Sequence, residues 1–292
     1  MKKFFRAIAL LVLLAFLVAA WFCVSHRSLY FTSVPPVSHS LTVLTLNTQT
    51  MGWAAKAEDN KVIRYLRQSD ADVMCLQEVL VRKSAGTLTL NELKRAFPDY
   101  PYTYFDFKVY NRYKQFGNVV FSKYPLLNKH TIRYDSRSNI TSCCDINVQG
   151  DTLRLFINHL ESNKIREDID SAMLNRSFKD SPMWEKIRSA GTIRLRQAQT
   201  VNDSVQASPY PVIVVGDFND IPLSRTYLKM CKGLKDCFLH SSNGRLGLTW
   251  VHSVIGLRID YILCSRQLYP VSFTVDEVDV SDHYPCKTVI TW

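Results

Sequence analysis

From Leu41 onward the apolar residues fall into short runs of strand length, separated by polar and turn-forming residues. LTVLTLN (41–47), DVMCLQEV (72–79), GNVVFSKYPL (117–126), CCDINVQ (143–149) and TLRLFINHL (152–160) read as strands. So do PVIVVGDFND (211–220), which breaks at Gly216, RIDYILC (258–264) and the terminal KTVITW (287–292). Two stretches carry helical spacing instead. Residues 58–69 put Val62, Ile63 and Leu66 on one face, and residues 183–207 bring Ile187, Ile193, Leu195 and Ala198 into phase. Many strands with few helices predict an α/β sandwich of four layers: two packed, mostly antiparallel sheets with helices outside. Asn47, Glu78, His159, Asp217 and Asp260 each stand at or near the end of an apolar strand. A polar group is costly inside such a strand, whereas at strand ends several strands deliver such groups to one cleft.

The N-terminus has a different pattern. Residues 1–6 are basic, and Ala7 to Val24 is an uninterrupted apolar run. This fits an export leader and is long enough to cross a bilayer as one helix. Cleavage after Ala20 gives a secreted product; Trp21 and Phe22, which prolong the run, favour an uncleaved transmembrane anchor. Lys2, Lys3 and Arg6 before the span place the rest of the chain outside the cytoplasm, periplasmic or extracellular. The chain thus divides into an anchor or signal (1–26), a linker (27–40) and one large domain (41–292), expected to be a monomer.

A net charge of +10 favours anionic partners: nucleic acid, phospholipid or phosphorylated metabolites. Between residues 104 and 137, Lys108, Arg112, Lys114, Lys123, Lys129, Arg133 and Arg137 interleave with Tyr104, Phe105, Phe107, Tyr110, Tyr113 and Phe116. Such a mixture holds a phosphate backbone and stacks on bases, or is a solvated face over an aromatic core. None of the eight cysteines has zinc-site spacing. Cys75 and Cys264 read as small buried hydrophobes, and Cys231 and Cys237 are a candidate bridge in an oxidising compartment.

The candidate chemistry begins at VVGDFND (214–220). Gly216 permits a sharp bend that presents Asp217 and Asn219 on one side, a carboxylate to polarise water and an amide to bond a phosphoryl oxygen. SDHYP (281–285) places Asp282, a hard oxygen ligand, beside His283, for which Asp260 in RIDYIL is the candidate orienting carboxylate. Glu78 is a further candidate metal ligand. Singly, each also fits a turn, a cap or a core-edge side chain.

In order, LNTQ, LQEV, GNVVFSKYPL, NHL, VVGDFND, RIDYIL and SDHYP resemble the endonuclease/exonuclease/phosphatase superfamily, whose fold is that of DNase I. The resemblance covers residues 41–292 and implies a Mg²⁺-dependent (Mn²⁺ as substitute) hydrolase of phosphoester bonds. It implies that Glu78 ligates the metal, with Asn47 and Asp282 close to it or its waters. By the same resemblance Asp217 aligns or deprotonates the attacking water and Asn219 holds a phosphoryl oxygen. His283, oriented by Asp260, stabilises charge or serves as base, and His159 contacts the phosphate or assists the leaving group. The sequence departs at Gln49, where some members carry an acid, and in the long stretch from Glu161 to Pro211, a substrate-facing insertion or an elaborated helical layer. The substrate stays open between nucleic acid, phospholipid and a small phosphate ester. A catalytically inactive, membrane-tethered binding module is the alternative of another class.

Overall fold

The computed structural model describes residues 37–53, 56–82, 87–174, 183–241, 247–252 and 255–292. The expected span over residues 7–24 lies outside these. Among the described residues no helix is long and apolar enough to cross a membrane.

The strands are β1 (Ser40–Asn47), β2 (Val73–Arg82), β3 (Tyr102–Tyr110), β4 (Lys114–Ser122), β5 (Leu126–Arg133), β6 (Ile140–Val148) and β7 (Asp151–His159). They continue with β8 (Val212–Asp217), β9 (Leu234–Asp236), β10 (Trp250–His252), β11 (Ile255–Leu257), β12 (Asp260–Ser265), β13 (Tyr269–Val275) and β14 (Cys286–Thr291). The helices are α1 (Lys61–Gln68), α2 (Leu90–Arg95), α3 (Arg166–Leu174), α4 (Met183–Gln206), α5 (Arg225–Met230) and α6 (Cys237–Ser241). One six-stranded sheet runs β13-β14-β1-β2-β4-β3, the other β5-β6-β7-β8-β12-β9, and β10-β11 is a separate ribbon. Each large sheet holds one parallel pair, β1 with β2 and β7 with β8, among antiparallel neighbours. A parallel pair needs a crossover, supplied by α1 in the first sheet and by α3 and α4 in the second.

Alternation along the strands builds the layers. Val43, Val73, Cys75 and Val120 of the first sheet meet Leu155, Ile157, Ile213, Val215 and Ile262 of the second in the central core. The opposite faces are apolar too. Leu44, Leu46, Met74 and Leu76 pack under Ile63 and Leu66 of α1, and Phe156, Val214 and Leu263 under Ala198 and Val201 of α4 and Tyr227 of α5. Both faces of the central strands are therefore covered, which is why they read as continuous apolar runs. Asn60 begins α1 by accepting a 3.1 Å hydrogen bond from the Ile63 amide. Thr89 and Glu92 form a reciprocal capping box on α2.

One expectation changes and one open alternative is placed in the fold. Cys231 and Cys237 are both free thiols, and Cys237 is fully buried against Cys264 instead. The basic-aromatic segment spreads over β3, β4 and β5, with Phe105 and Phe107 packed against the core beneath α1 and α2. Lys108 donates to the Tyr134 carbonyl, and Arg112 stacks on the exposed Tyr113.

Candidate active site

The parallel pairs fix where polar groups emerge. Asn47 ends β1, and His159 and Asp217 end β7 and β8 in mutual register. Asp260 opens β12 directly opposite Asp217, and His283 precedes β14, which pairs with β1. Glu78 is delivered differently. A bulge between Leu76 and Val79 interrupts the pairing of β2 with β4, and Glu78 adopts φ +54°. A bulge re-aims a side chain at the cost of local strain, and pairing with β4 resumes beyond it, so the strand continues past Glu78 to Arg82. Gly216 at φ +117° is required: a Cβ there would collide with the Asn158 carbonyl.

These groups form one connected cluster. The Asn47 amide donates to Glu78 Oε1 at 3.2 Å and to Asp217 Oδ2 at 3.0 Å. His159 Nε2 lies 3.3 Å from Glu78 Oε1. Asn219, at φ +53°, donates its backbone N–H to Asp217 Oδ1 at 2.8 Å and its side-chain amide to Asp217 Oδ2 and the Leu160 carbonyl, both at 3.0 Å. His283 Nδ1 is 2.8 Å from Asp260 Oδ2, and its Nε2 is 3.9 Å from Asp217 Oδ2. Asp282 accepts from the Trp250 indole at 3.1 Å and from Ser281, whose hydroxyl also donates to the Asn47 carbonyl.

Burial and mutual charge set the proton affinities. Burial would raise Glu78, but the His159 imidazole and the Asn47 amide outweigh it and hold the carboxyl at about 2. Asp217 is pushed up to about 6 by burial and by the Asp260 carboxylate. Burial disfavours charge on His283, yet Asp260 and Asp217 carry it to about 9, and Glu78 raises His159 in the same way.

The cluster forms the floor of a cavity of about 510 Å³, lined by Asn47, Glu78, Asp217, Asn219, Asp282 and His283 among others. His159 and Asp260 are not among the lining residues. They stand behind Glu78 and His283 as partners of those two side chains. Gln49 lines the cavity where an acid was the alternative, its N–H bonded to Asn47 Oδ1. The stretch 161–211 contains the helical layer, with α4 covering the second sheet, while Ser162, Asn163, Lys164, Ile165, Trp184 and Ile187 line the cavity.

Three features were not legible as site residues. Arg194 is buried and ties the connection after β7 to that after β8, donating to the Glu161 carbonyl, Asn163 Oδ1 and Asp220 Oδ2. Trp250 binds Asp282, and Thr249 Oγ1 accepts the backbone N–H of both Ile259 and Asp260. An isolated arginine in a helix or a tryptophan in a short strand carries no sequence mark of such a task.

The model of the endonuclease/exonuclease/phosphatase family matches residues 44–283. No curated protein matches the sequence. Among solved structures, an endonuclease/exonuclease/phosphatase from Beutenbergia cavernae DSM 12333 superimposes with a TM-score of 0.64 at 18% identity, over 86% of this chain and 71% of that one. A humanized D. rerio TDP2 gives 0.63 at 16% identity, covering 86% and 98%. The human Nocturnin catalytic domain, with bound sulfate anion, gives 0.58 at 20% identity, covering 86% and 94%. At these identities the structural likeness speaks for the fold.

Proposed function

This chain belongs to the endonuclease/exonuclease/phosphatase family, and we propose that it works as a metal-assisted phosphodiesterase at the cavity floored by Asp217 and His283. The observation carrying this reading is the unbroken contact network from His159 through Glu78, Asn47 and Asp217 to Asn219, His283 and Asp260. A network with one carboxylate held by two amides beside a carboxylate-backed imidazole is what water activation at phosphorus needs.

The donor set fits a hard dication. Glu78, Asp217, Asp260 and Asp282 bring four carboxyls against the two imidazoles of His159 and His283, and Asp260 Oδ1 is buried without a hydrogen-bond partner. Asp217, Asp260 and His283 have ligand atoms within 4.8 Å of one another, all buried. The imidazole there is already turned to both carboxylates, whereas Glu78, Asn47 and Asp282 line the open cavity together. We assign the metal to the latter three, with Mg²⁺ the natural ion and Mn²⁺ a substitute. Bound there, it supplies Lewis-acid neutralisation of charge on the phosphoryl oxygens.

The protein's own groups do the rest. Asp217, fixed by Asn47 and Asn219, takes the proton as a water oxygen bonds to phosphorus. The phosphorus–oxygen bond to the leaving alkoxide breaks in line, and that oxygen takes its proton from solvent water. His283, held by Asp260, faces the developing charge. Both hydrogens of the Asn219 amide are committed to Asp217 and Leu160, so Asn219 serves here by orienting the base. His159, held to Glu78, fixes that carboxylate rather than meeting substrate.

The basic leader and apolar run of residues 1–24 support an exported, membrane-held enzyme. The activity is tested on the full chain with Mg²⁺ against plasmid DNA, RNA, sphingomyelin and bis-p-nitrophenyl phosphate. Turnover that EDTA abolishes and Asp217→Asn cripples is expected; turnover indifferent to both sinks the mechanism. Binding without turnover on every substrate would mark a non-catalytic module.

A further inference from the structure

One wall of the cavity is unlike its floor. Ile165, Ile187, Leu257, Ile259 and Trp250 belong to a small apolar cluster with Ile169 and Met183, formed where α3 and the start of α4 meet the β10-β11 ribbon. All five also line the cavity, so the cluster is a core with one side open. On the lip, Trp184 and Ile221 are 56% and 47% exposed. Exposed bulky apolar side chains at a pocket mouth are informative because water contact with them is unfavourable.

The wall is coupled to the chemistry. Trp250 donates its indole N–H to Asp282 and bridges to His283 through the backbone, and the Tyr284 amide donates to the Thr249 carbonyl at 2.6 Å. The apolar surface thus begins where the reacting phosphate sits. Its electrostatics argue against a polynucleotide track. Among the described residues, Lys164 and Arg194 are the lysines and arginines lining the cavity; Arg194 is 1% exposed and spent on Glu161, Asn163 and Asp220, and Lys164 pairs with Glu161. Lys108, Arg112 and Lys114, with Tyr110 and Tyr113, lie on the β3-β4 hairpin, outside the cavity lining. A nucleic-acid path joins basic groups to stacking aromatics along one groove, and this cavity does not.

We propose that this wall is a hydrocarbon subsite and that the substrate is a phosphodiester carrying an alkyl or acyl chain, as phospholipids do. The assignment rests on the phosphodiesterase reading above and adds to it the residues that select substrate. The chain lies along Ile165, Ile187 and Leu257, with Trp184 closing over it, while the phosphate meets the floor.

The test is a series of p-nitrophenyl alkyl phosphates (methyl, butyl, octyl) below their micellar concentrations, turned over by the full chain with Mg²⁺. Each buried methylene raises kcat/KM by up to about fourfold, so octyl is expected to exceed methyl by at least about tenfold. Trp184→Ala and Ile187→Ala each cut the octyl-to-methyl ratio by about threefold or more, and Trp184→Phe restores most of it. Dodecyl phosphonate, which is not hydrolysed, shifts the tryptophan emission of the wild type to the blue, and Trp184→Phe loses most of that shift. Methyl-ester turnover with no rise along the series, an unchanged ratio in the variants, or faster cleavage of a deoxyoligonucleotide than of the octyl ester overturns the subsite alone. Silence on every ester with the emission shift intact overturns the phosphodiesterase reading and leaves a lipid-binding wall.

Discussion

Asp260 holds His283 Nδ1 with one oxygen and buries the other without a partner. A buried carboxylate so placed has one use the contacts show, keeping the imidazole in a fixed orientation beside Asp217. Acting through His283, it is a positioning residue. Asp260→Asn and His283→Gln are therefore expected to be strongly non-additive, the double variant little worse than His283→Gln alone. Coupling of this kind between contacting residues is roughly 0.5–3 kcal/mol. Single-turnover rates of the four proteins measure it, and additive losses would refute the pairing. The site residues themselves were legible because each interrupts an apolar run: Asn47, Glu78, His159, Asp217 and Asp260 all prove to be linked or adjacent. The wall residues were not. Ile187 and Trp250 look like any core side chain in a sequence, since nothing local says that one side of their cluster is open.

At the scale of elements, the strands that the short apolar runs exposed are the eight interior ones of the two sheets. The four edges, β13, β3, β5 and β9, went unread. An edge strand is covered on fewer sides, so β5 buries only Leu126 fully and β13 buries none of its residues, and no apolar run stands out. The helix α4 was read nearly to its ends, though not the work of its buried arginine. Arg194 spans the connections that follow β7 and β8. Its removal leaves the Asp220 carboxylate and the Glu161 carbonyl without that donor, and breaking a buried ion pair costs on the order of 3–5 kcal/mol. Arg194→Met is expected to lower the urea midpoint accordingly. By contrast Asn60→Ala, which removes only the cap of α1 and its bond to the Met51 carbonyl, should cost roughly 0.5–2 kcal/mol. Equal losses in the two variants would overturn this ranking.

At the scale of the molecule, charge couples stability to pH and, on the proposed function, to metal. Far from the cavity, Asp145 on β6 receives a bidentate grip from Arg154 of β7 at 2.7 and 3.0 Å and the Asn128 amide at 2.8 Å. Burial would raise this carboxyl, but these donors outweigh it and hold it below the ordinary range. A carboxyl with a lowered folded pKa binds protons more readily when unfolded. Its stabilisation is complete above the usual aspartate value of about 3.9 and is lost as pH falls through the lower, folded value. The difference in Tm between the wild type and Asp145→Asn should accordingly be constant from neutral pH to about 5 and shrink below 4.

The cluster at the cavity floor gives the opposite kind of test, because Glu78, Asp217, Asp260 and Asp282 converge there with only two imidazoles to offset them, His159 and Asp260 standing behind the lining. A dication that binds only the folded state adds RT ln(1 + [M]/Kd), about 2.7 kcal/mol at a hundredfold excess over Kd. Mg²⁺ should therefore raise Tm by several degrees and EDTA reverse it, with no substrate present. If Glu78 holds the metal as proposed, Glu78→Gln should abolish most of that rise, while Asp145→Asn, on β6 and outside the cavity lining, should retain it. A Tm indifferent to Mg²⁺ in the wild type, or a rise undiminished in Glu78→Gln, would remove Glu78 from the metal and return the choice to the buried group of Asp217, Asp260 and His283.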